Sequence, residues 1–326
     1  MTIDNKVQTI FTKKHYINLI SCVIIWISGA VFIYKIFDDP TLKIFFYSII
    51  FPIVLILIER TEEYYKSFLT KNTLFLMMLI VTAAAILLYR LEYIGYPSIV
   101  GFSILWLLII YYSQIVKTSL LQLAVFLLSP VLYIEMISFS GLFSLIILVI
   151  VSIFISERFL DNKKLDWKFF LIAFLFGATL SVHLLVSLIY LIYLLYLFRN
   201  NITKGLAFFL LMLIAYTLLL FLSDKGYMTN TAAQTNYFRM IPVWIIILLF
   251  LVTLYVGWIV TDLHEVLFTS GIILFFIYIL SFIFRVAGFG WNKNEIDLSL
   301  PVMAIPFLVL SINEYKVDRF LGKVRR

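Results

Sequence analysis

Cysteine and charge are both scarce in this chain. The single cysteine, Cys22, lies inside an apolar run, so no intrachain disulfide can form and cysteine usage reveals nothing of the redox compartment. Charged residues make up 13% of the 326 positions, too few to cover the surface of a soluble domain of that length. Also missing are a Walker A loop, HExxH, CxxC and GxSxG. The glycines of GFGWN (288–292) follow an apolar run rather than a strand, so they do not form a dinucleotide fingerprint. A formal charge of +7 is compatible with nucleic-acid binding, but no basic patch is interleaved with aromatics in a soluble segment. Nucleic acid is therefore not an expected partner, and the cations read better as topology signals.

What the sequence has in abundance is long apolar runs, with 63% of residues hydrophobic. The continuous runs exclude a β-barrel, whose strands alternate with a period of two. The fold expected is an all-α, polytopic transmembrane bundle forming one integral membrane domain over 1–326, with the lipid bilayer as its first partner. The runs 16–36, 42–58, 73–89, 96–115, 119–135 and 138–155 each approach the roughly 20 residues of a span. Further runs follow at 205–222, 240–260, 266–284 and 298–312. The first span lacks a small-residue cleavage site and is expected to be retained rather than removed as a signal peptide.

The run 169–198 is the ambiguous one. As a single helix it would be about 45 Å long, against a hydrocarbon core of about 30 Å. As two helices turning near Ser181–His183, each half would reach only about 22 Å. Charge separates the two readings. A pair of short helices, 169–182 and 183–198, gives about 12 segments and brings the basic tail (Lys316, Arg319, Lys323, Arg325, Arg326) to the same side as Lys6, Lys13 and Lys14. Positive charge accumulates on the cytoplasmic side of membrane proteins, so this reading puts both termini in the cytoplasm. A multi-pass protein of a prokaryotic cytoplasmic (inner) membrane is the localisation that follows.

Polar groups at the outer edges of these spans are the functional candidates. Asp38 and Asp39 share the short loop FDDPT, where paired carboxylates can hold a divalent cation or act as a general base, though Asp-Asp-Pro is equally good turn chemistry. Glu92 lies in RLEYIGYP within reach of Arg90. His183 would sit at the turn between the two short helices, where a neutral imidazole can donate to a phosphate or accept a proton; alternatively it packs with one hydrogen bond. Arg239 and Arg285 are outward-facing cations suited to bidentate phosphate contact, or to snorkelling toward headgroups. Almost no ionisable group lies near a span centre, which disfavours an ion-coupled transporter.

From RLEYIGYPSIVG to about Phe221 the layout resembles GT-C-type glycosyltransferases, membrane enzymes that use polyprenyl-phosphate sugars. The matching features are Tyr96-Pro97, Ser129-Pro130, SFSG at 138–141, the basic NKKLDWK, Gly177, His183 and the run to Phe198. The resemblance implies a transferase acting on a lipid-linked sugar at the outer membrane face. Asp38 or Asp39 would be the catalytic carboxylate, with His183, Arg239, Arg285 and Glu92 binding substrate. Those enzymes usually carry their acid in a long first outer loop, whereas FDDPT is short. The chain is also similar to EpsG- and Wzy-type polysaccharide polymerases, in which Arg285 would be the late arginine, but the arginine expected after the small-polar loop is absent at 141–144. A third reading, suggested by 32 Phe and 20 Tyr, is a non-catalytic accessory or scaffold subunit of an envelope complex.

Overall fold

The computed structural model describes residues 3–65, 141–160, 166–182, 186–222, 243–286 and 299–312, with scattered positions between 76 and 129. Its elements are α1 (Ile3–Ile36), α2 (Pro40–Tyr65), α3 (Gly141–Phe159), α4 (Trp167–Val182), α5 (Val186–Leu197), α6 (Ile202–Leu222), α7 (Val243–Ile259), α8 (Leu263–Val286) and α9 (Ser299–Ser311). Among the described residues there is no strand. The all-α expectation holds.

The expected number of membrane segments is met only in part. Among the described residues, three helices are long and apolar enough to cross a membrane: Tyr16–Tyr34, Pro40–Ile58 and Ile202–Leu219. Other apolar helices are shorter, at Trp167–Leu180, Val186–Leu197, Ile247–Ile259 and Leu263–Ile277. Most of 73–89, 96–115 and 119–135 lies outside the described residues. The outward faces of the long helices are apolar, with Phe45, Phe46, Ile49 and Ile53 exposed on α2 and Leu206, Leu210 and Ile214 on α6. Such surfaces are suited to hydrocarbon rather than water.

Two compact units divide the chain, Gly141–Ala304 and the remainder, Met1–Ser140 with Ile305–Arg326. In the latter, Pro40 opens α2 at the position where its missing N–H costs nothing. α1 and α2 approach closely at Gly29, where a Cβ would sit 2.6 Å from Tyr47 Cζ. The Tyr47 and Phe51 rings lie 5.6 Å apart beside this contact. The second half of α9 and the residue that follows it are buried, from Ile305 to Ile312. Ser311 Oγ and Ser21 Oγ are 3.1 Å apart, and Gln122 Nε2 donates to Val309 O at 3.1 Å. These bonds fix the rotation of α9 where the apolar contacts alone are non-directional.

In the unit Gly141–Ala304, α5 is the centre, with Val186, Ile189, Tyr190, Ile192, Tyr193 and Leu194 all buried. The 169–198 run folds back on itself. Phe176 and Tyr190 stack at 4.1 Å, although fourteen residues of continuous helix would separate their Cα atoms by about 21 Å. The chain therefore reverses between Val182 and Val186, where the sequence placed the turn. α4 meets α6 at Gly177, whose Cβ would lie 2.5 Å from Met212 O and 2.6 Å from Ala215 Cβ. α5 meets α7 at Gly257, whose Cβ would lie 3.2 Å from Ile192 Cα. Small residues at these two points let the helix backbones approach closely, the usual means of holding helices together in lipid.

Candidate functional site

Asp38 and Asp39 occupy the bend between α1 and α2, and both are exposed. Phe37 N still donates to Ile33 O at 3.2 Å, and α2 begins at Pro40, so the two carboxylates have only the width of a tight turn. Among the described residues neither makes a hydrogen bond or ion pair, and Lys43 lies instead over the Phe37 ring at 3.6 Å. No group of three or more His, Cys, Asp or Glu comes together among the described residues, so none of these completes a divalent-cation site on the pair. Arg285 is the next-to-last residue of α8. Glu92, His183 and Arg239 lie outside the described residues.

A hydrogen-bonded group of side chains that joins three helices lies in the unit Gly141–Ala304. Tyr190 Oη is 2.9 Å from Ser152 Oγ and also bonds Thr179 Oγ1, joining α3, α4 and α5. One turn along, Tyr193 Oη bonds Ser156 Oγ. The serines also donate to their own helix, Ser152 to Val149 O and Ser156 to Ile153 O, both at 2.7 Å. Every hydroxyl in this seam is thereby satisfied without water, as an apolar interior demands. Beyond the seam, Tyr196 donates to the Glu157 carboxylate. The other carboxylate oxygen, Glu157 Oε1, is buried and has no hydrogen-bond partner among the described residues.

Glu157 marks one end of this unit. The rings of Phe169, Phe198 and Phe208 lie 5.2–6.2 Å from one another, which brings together the start of α4, the end of α5 and the start of α6. Lys168 Nζ lies 5.6 Å from the Phe159 ring and adds the end of α3. Arg199 donates to Val260 O at 3.3 Å and adds the α7–α8 corner. All three helices that start here carry an Asx N-cap. Asp166 Oδ1 accepts from Phe169 N at 3.2 Å, Asn201 Oδ1 from Lys204 N at 3.3 Å and Asp262 Oδ1 from Glu265 N at 2.9 Å. Glu265 Oε2 returns to Thr261 N at 2.9 Å, a close variant of the capping box.

Neither Glu157 nor this seam is among the candidates that the sequence singles out. The signal was available as Ser152 and Ser156, one turn apart on α3, facing Tyr190 and Tyr193 on α5. Burial pushes the Glu157 carboxyl above its usual range, against the bond from Tyr196, which pulls it down. A raised folded-state pKa means that the folded form binds the proton more tightly than the unfolded form. Stability is then full below the ordinary carboxylate pKa and falls as pH rises toward the folded value. Glu157→Gln keeps an acceptor for Tyr196 and removes the charge. It is expected to raise the unfolding temperature at pH 8 and to leave it unchanged at pH 4, in detergent melts at both pH values. A lower melting temperature at pH 8 would contradict this assignment.

No protein-family model, curated protein or solved structure matches this chain.

Proposed function

We propose that the chain is a multi-pass protein of a prokaryotic cytoplasmic membrane, with about twelve segments, α4 and α5 as a short pair, and both termini in the cytoplasm. The end carrying Arg158, Lys168, Arg199 and Lys204 is the cytoplasmic end of its unit, since the opposite helix ends carry only Arg285 among the described residues. The tip of the α4–α5 hairpin, and with it His183, then faces outward. In this membrane the protein transfers a sugar from a polyprenyl-phosphate carrier to an acceptor hydroxyl at the outer face.

The observation that carries this reading is the exposed carboxylate pair at the turn between two helices of span length. That is where a general base can meet both water-borne acceptor and membrane-borne donor. Asp38 or Asp39 removes the acceptor proton as the sugar is attacked. His183, Arg239 and Arg285 hold the phosphate that leaves with the carrier, and Glu92 lines the substrate. The α4–α5 hairpin, with Gly177 in its first arm, adds support, because the GT-C layout has a glycine-bearing short helix before the turn.

The test is Asp38→Asn with Asp39→Asn, introduced into a strain lacking the wild-type protein. Loss of a positioned general base costs about 100-fold or more, so the corresponding surface glycan is expected to disappear while the membrane holds normal amounts of protein. Unchanged surface glycans would overturn the transferase reading. A shift in polysaccharide chain length on Arg285→Ala, with the double aspartate variant fully active, would place the chain among the polymerases instead.

A further inference from the structure

The cytoplasmic end of the unit Gly141–Ala304 has as many described acids as cations, yet the two kinds are used differently. Asp166 and Asp262 accept from backbone N–H groups of their own helices, Glu265 turns back to Thr261, and Glu157 is held by Tyr196. The acids are thus engaged in capping and internal bonds. Of the four cations, Arg158 and Arg199 are exposed, and Lys168 and Lys204 are half-buried. Lys168 and Arg199 are the chain neighbours of Phe169 and Phe198, whose ring centroids are 6.2 Å apart; Lys168 Nζ lies 5.6 Å from the Phe159 ring and Arg199 donates to Val260 O. Beside them stand apolar side chains turned outward at the level of the helix starts, Trp167 at 69% exposure and Ile202 and Leu206 at 59% each.

A pair of cations beside an exposed indole and an aliphatic helix face has the chemistry of an anionic glycerophospholipid. The headgroup needs positive charge, the glycerol region favours tryptophan, and the acyl chains need an apolar wall. We propose that the corner formed by the start of α4 and the end of α5 binds the headgroup of an anionic phospholipid of the cytoplasmic leaflet. Lys168 and Arg199 contact the phosphate, and Trp167, Ile202 and Leu206 flank the acyl chains. Arg199 suits this role because its donation to Val260 O anchors one edge of the guanidinium and leaves the planar group pre-oriented. This inference rests on the membrane reading above and is independent of glycosyl transfer.

The experiment titrates the full-length protein, purified in a non-ionic detergent, with phosphatidylglycerol and with phosphatidylcholine, and reads bound lipid by native mass spectrometry. Wild type is expected to prefer phosphatidylglycerol. Each surface cation contributes roughly fivefold, so Lys168→Gln with Arg199→Gln is expected to weaken phosphatidylglycerol binding roughly 25-fold and leave phosphatidylcholine unaffected. If the double variant fails to fold, Lys168→Gln alone is expected to show the fivefold loss, with Lys168→Arg restoring it. Equal wild-type affinity for the two lipids, or unchanged affinity in the variants, would overturn the proposal. Release of the protein from membranes by alkaline carbonate would instead sink the membrane reading, and the two failures are separately visible.

Discussion

Gly177→Leu is expected to prevent the protein from accumulating in membranes, and Gly177→Ala to leave it present but destabilised. Even the first added atom, the alanine Cβ, would lie 2.5 Å from Met212 O and 3.0 Å from Tyr216 N. Both are backbone atoms of α6, which cannot rotate away as a side chain would. The helix itself must move. Overpacking of this kind costs about 1–3 kcal/mol and occasionally more, and here the cost falls where the backbones of α4 and α6 come close together. Ala215 Cβ is the one neighbour at this point that can be removed, at 2.6 Å. Ala215→Gly should therefore rescue Gly177→Ala only in part. Survival after heating in detergent measures all three variants. Wild-type resistance in Gly177→Leu would show that α4 and α6 do not meet as described.

The second large effect is expected at Tyr190, which is fully buried, stacks on Phe176 and bonds both Ser152 and Thr179. Tyr190→Ala removes the ring and leaves a cavity between α3, α4 and α5. Large-to-small aromatic changes in a core cost about 3–5 kcal/mol. Tyr190→Phe keeps the ring and deletes only the hydroxyl. Ser152 and Thr179 then retain the carbonyls of Val149 at 2.7 Å and Phe176 at 2.9 Å, so neither is stranded. Interhelical hydrogen bonds in membranes average about 0.6 kcal/mol, and that is the scale expected for Tyr190→Phe. The ratio between the two variants is the useful quantity, read from unfolding in mixed micelles. Equal losses would mean that the seam, not the packing, holds α5 in place.

The sequence showed the hairpin and the caps to different degrees, for physical reasons. The reversal near 183 was legible because length and charge are global constraints. A thirty-residue run fits no single span comfortably, and the basic tail has to lie somewhere. The exposed bend at Asp38 and Asp39 was legible too, because Asp-Asp-Pro leaves the chain few alternatives to a turn. The Ser152–Tyr190 and Ser156–Tyr193 bonds were not. Hydropathy treats serine and tyrosine in an apolar run as nearly neutral, and their value depends on which helix lies opposite. Glu157 was obscured by its neighbours Arg158, Lys163 and Lys164, which make the segment read as a solvated loop when one carboxylate in it is turned inward. Asp166, Asn201 and Asp262 could have been found, since each stands just before an apolar helix. The full number of segments was less accessible, because several helices are shorter than the runs that contain them.

The reversal at the hairpin tip also has a consequence for biogenesis. Sixteen residues of α4 span about 24 Å and twelve of α5 about 18 Å, so neither arm alone matches a bilayer core of about 30 Å. A translocon that releases helices one at a time would find no stable position for α4 until α5 has been synthesised beside it. The two arms are therefore expected to leave the insertion machinery as a single unit. A nascent chain stalled between the arms would leave α4 extractable, whereas one stalled after Leu197 would not.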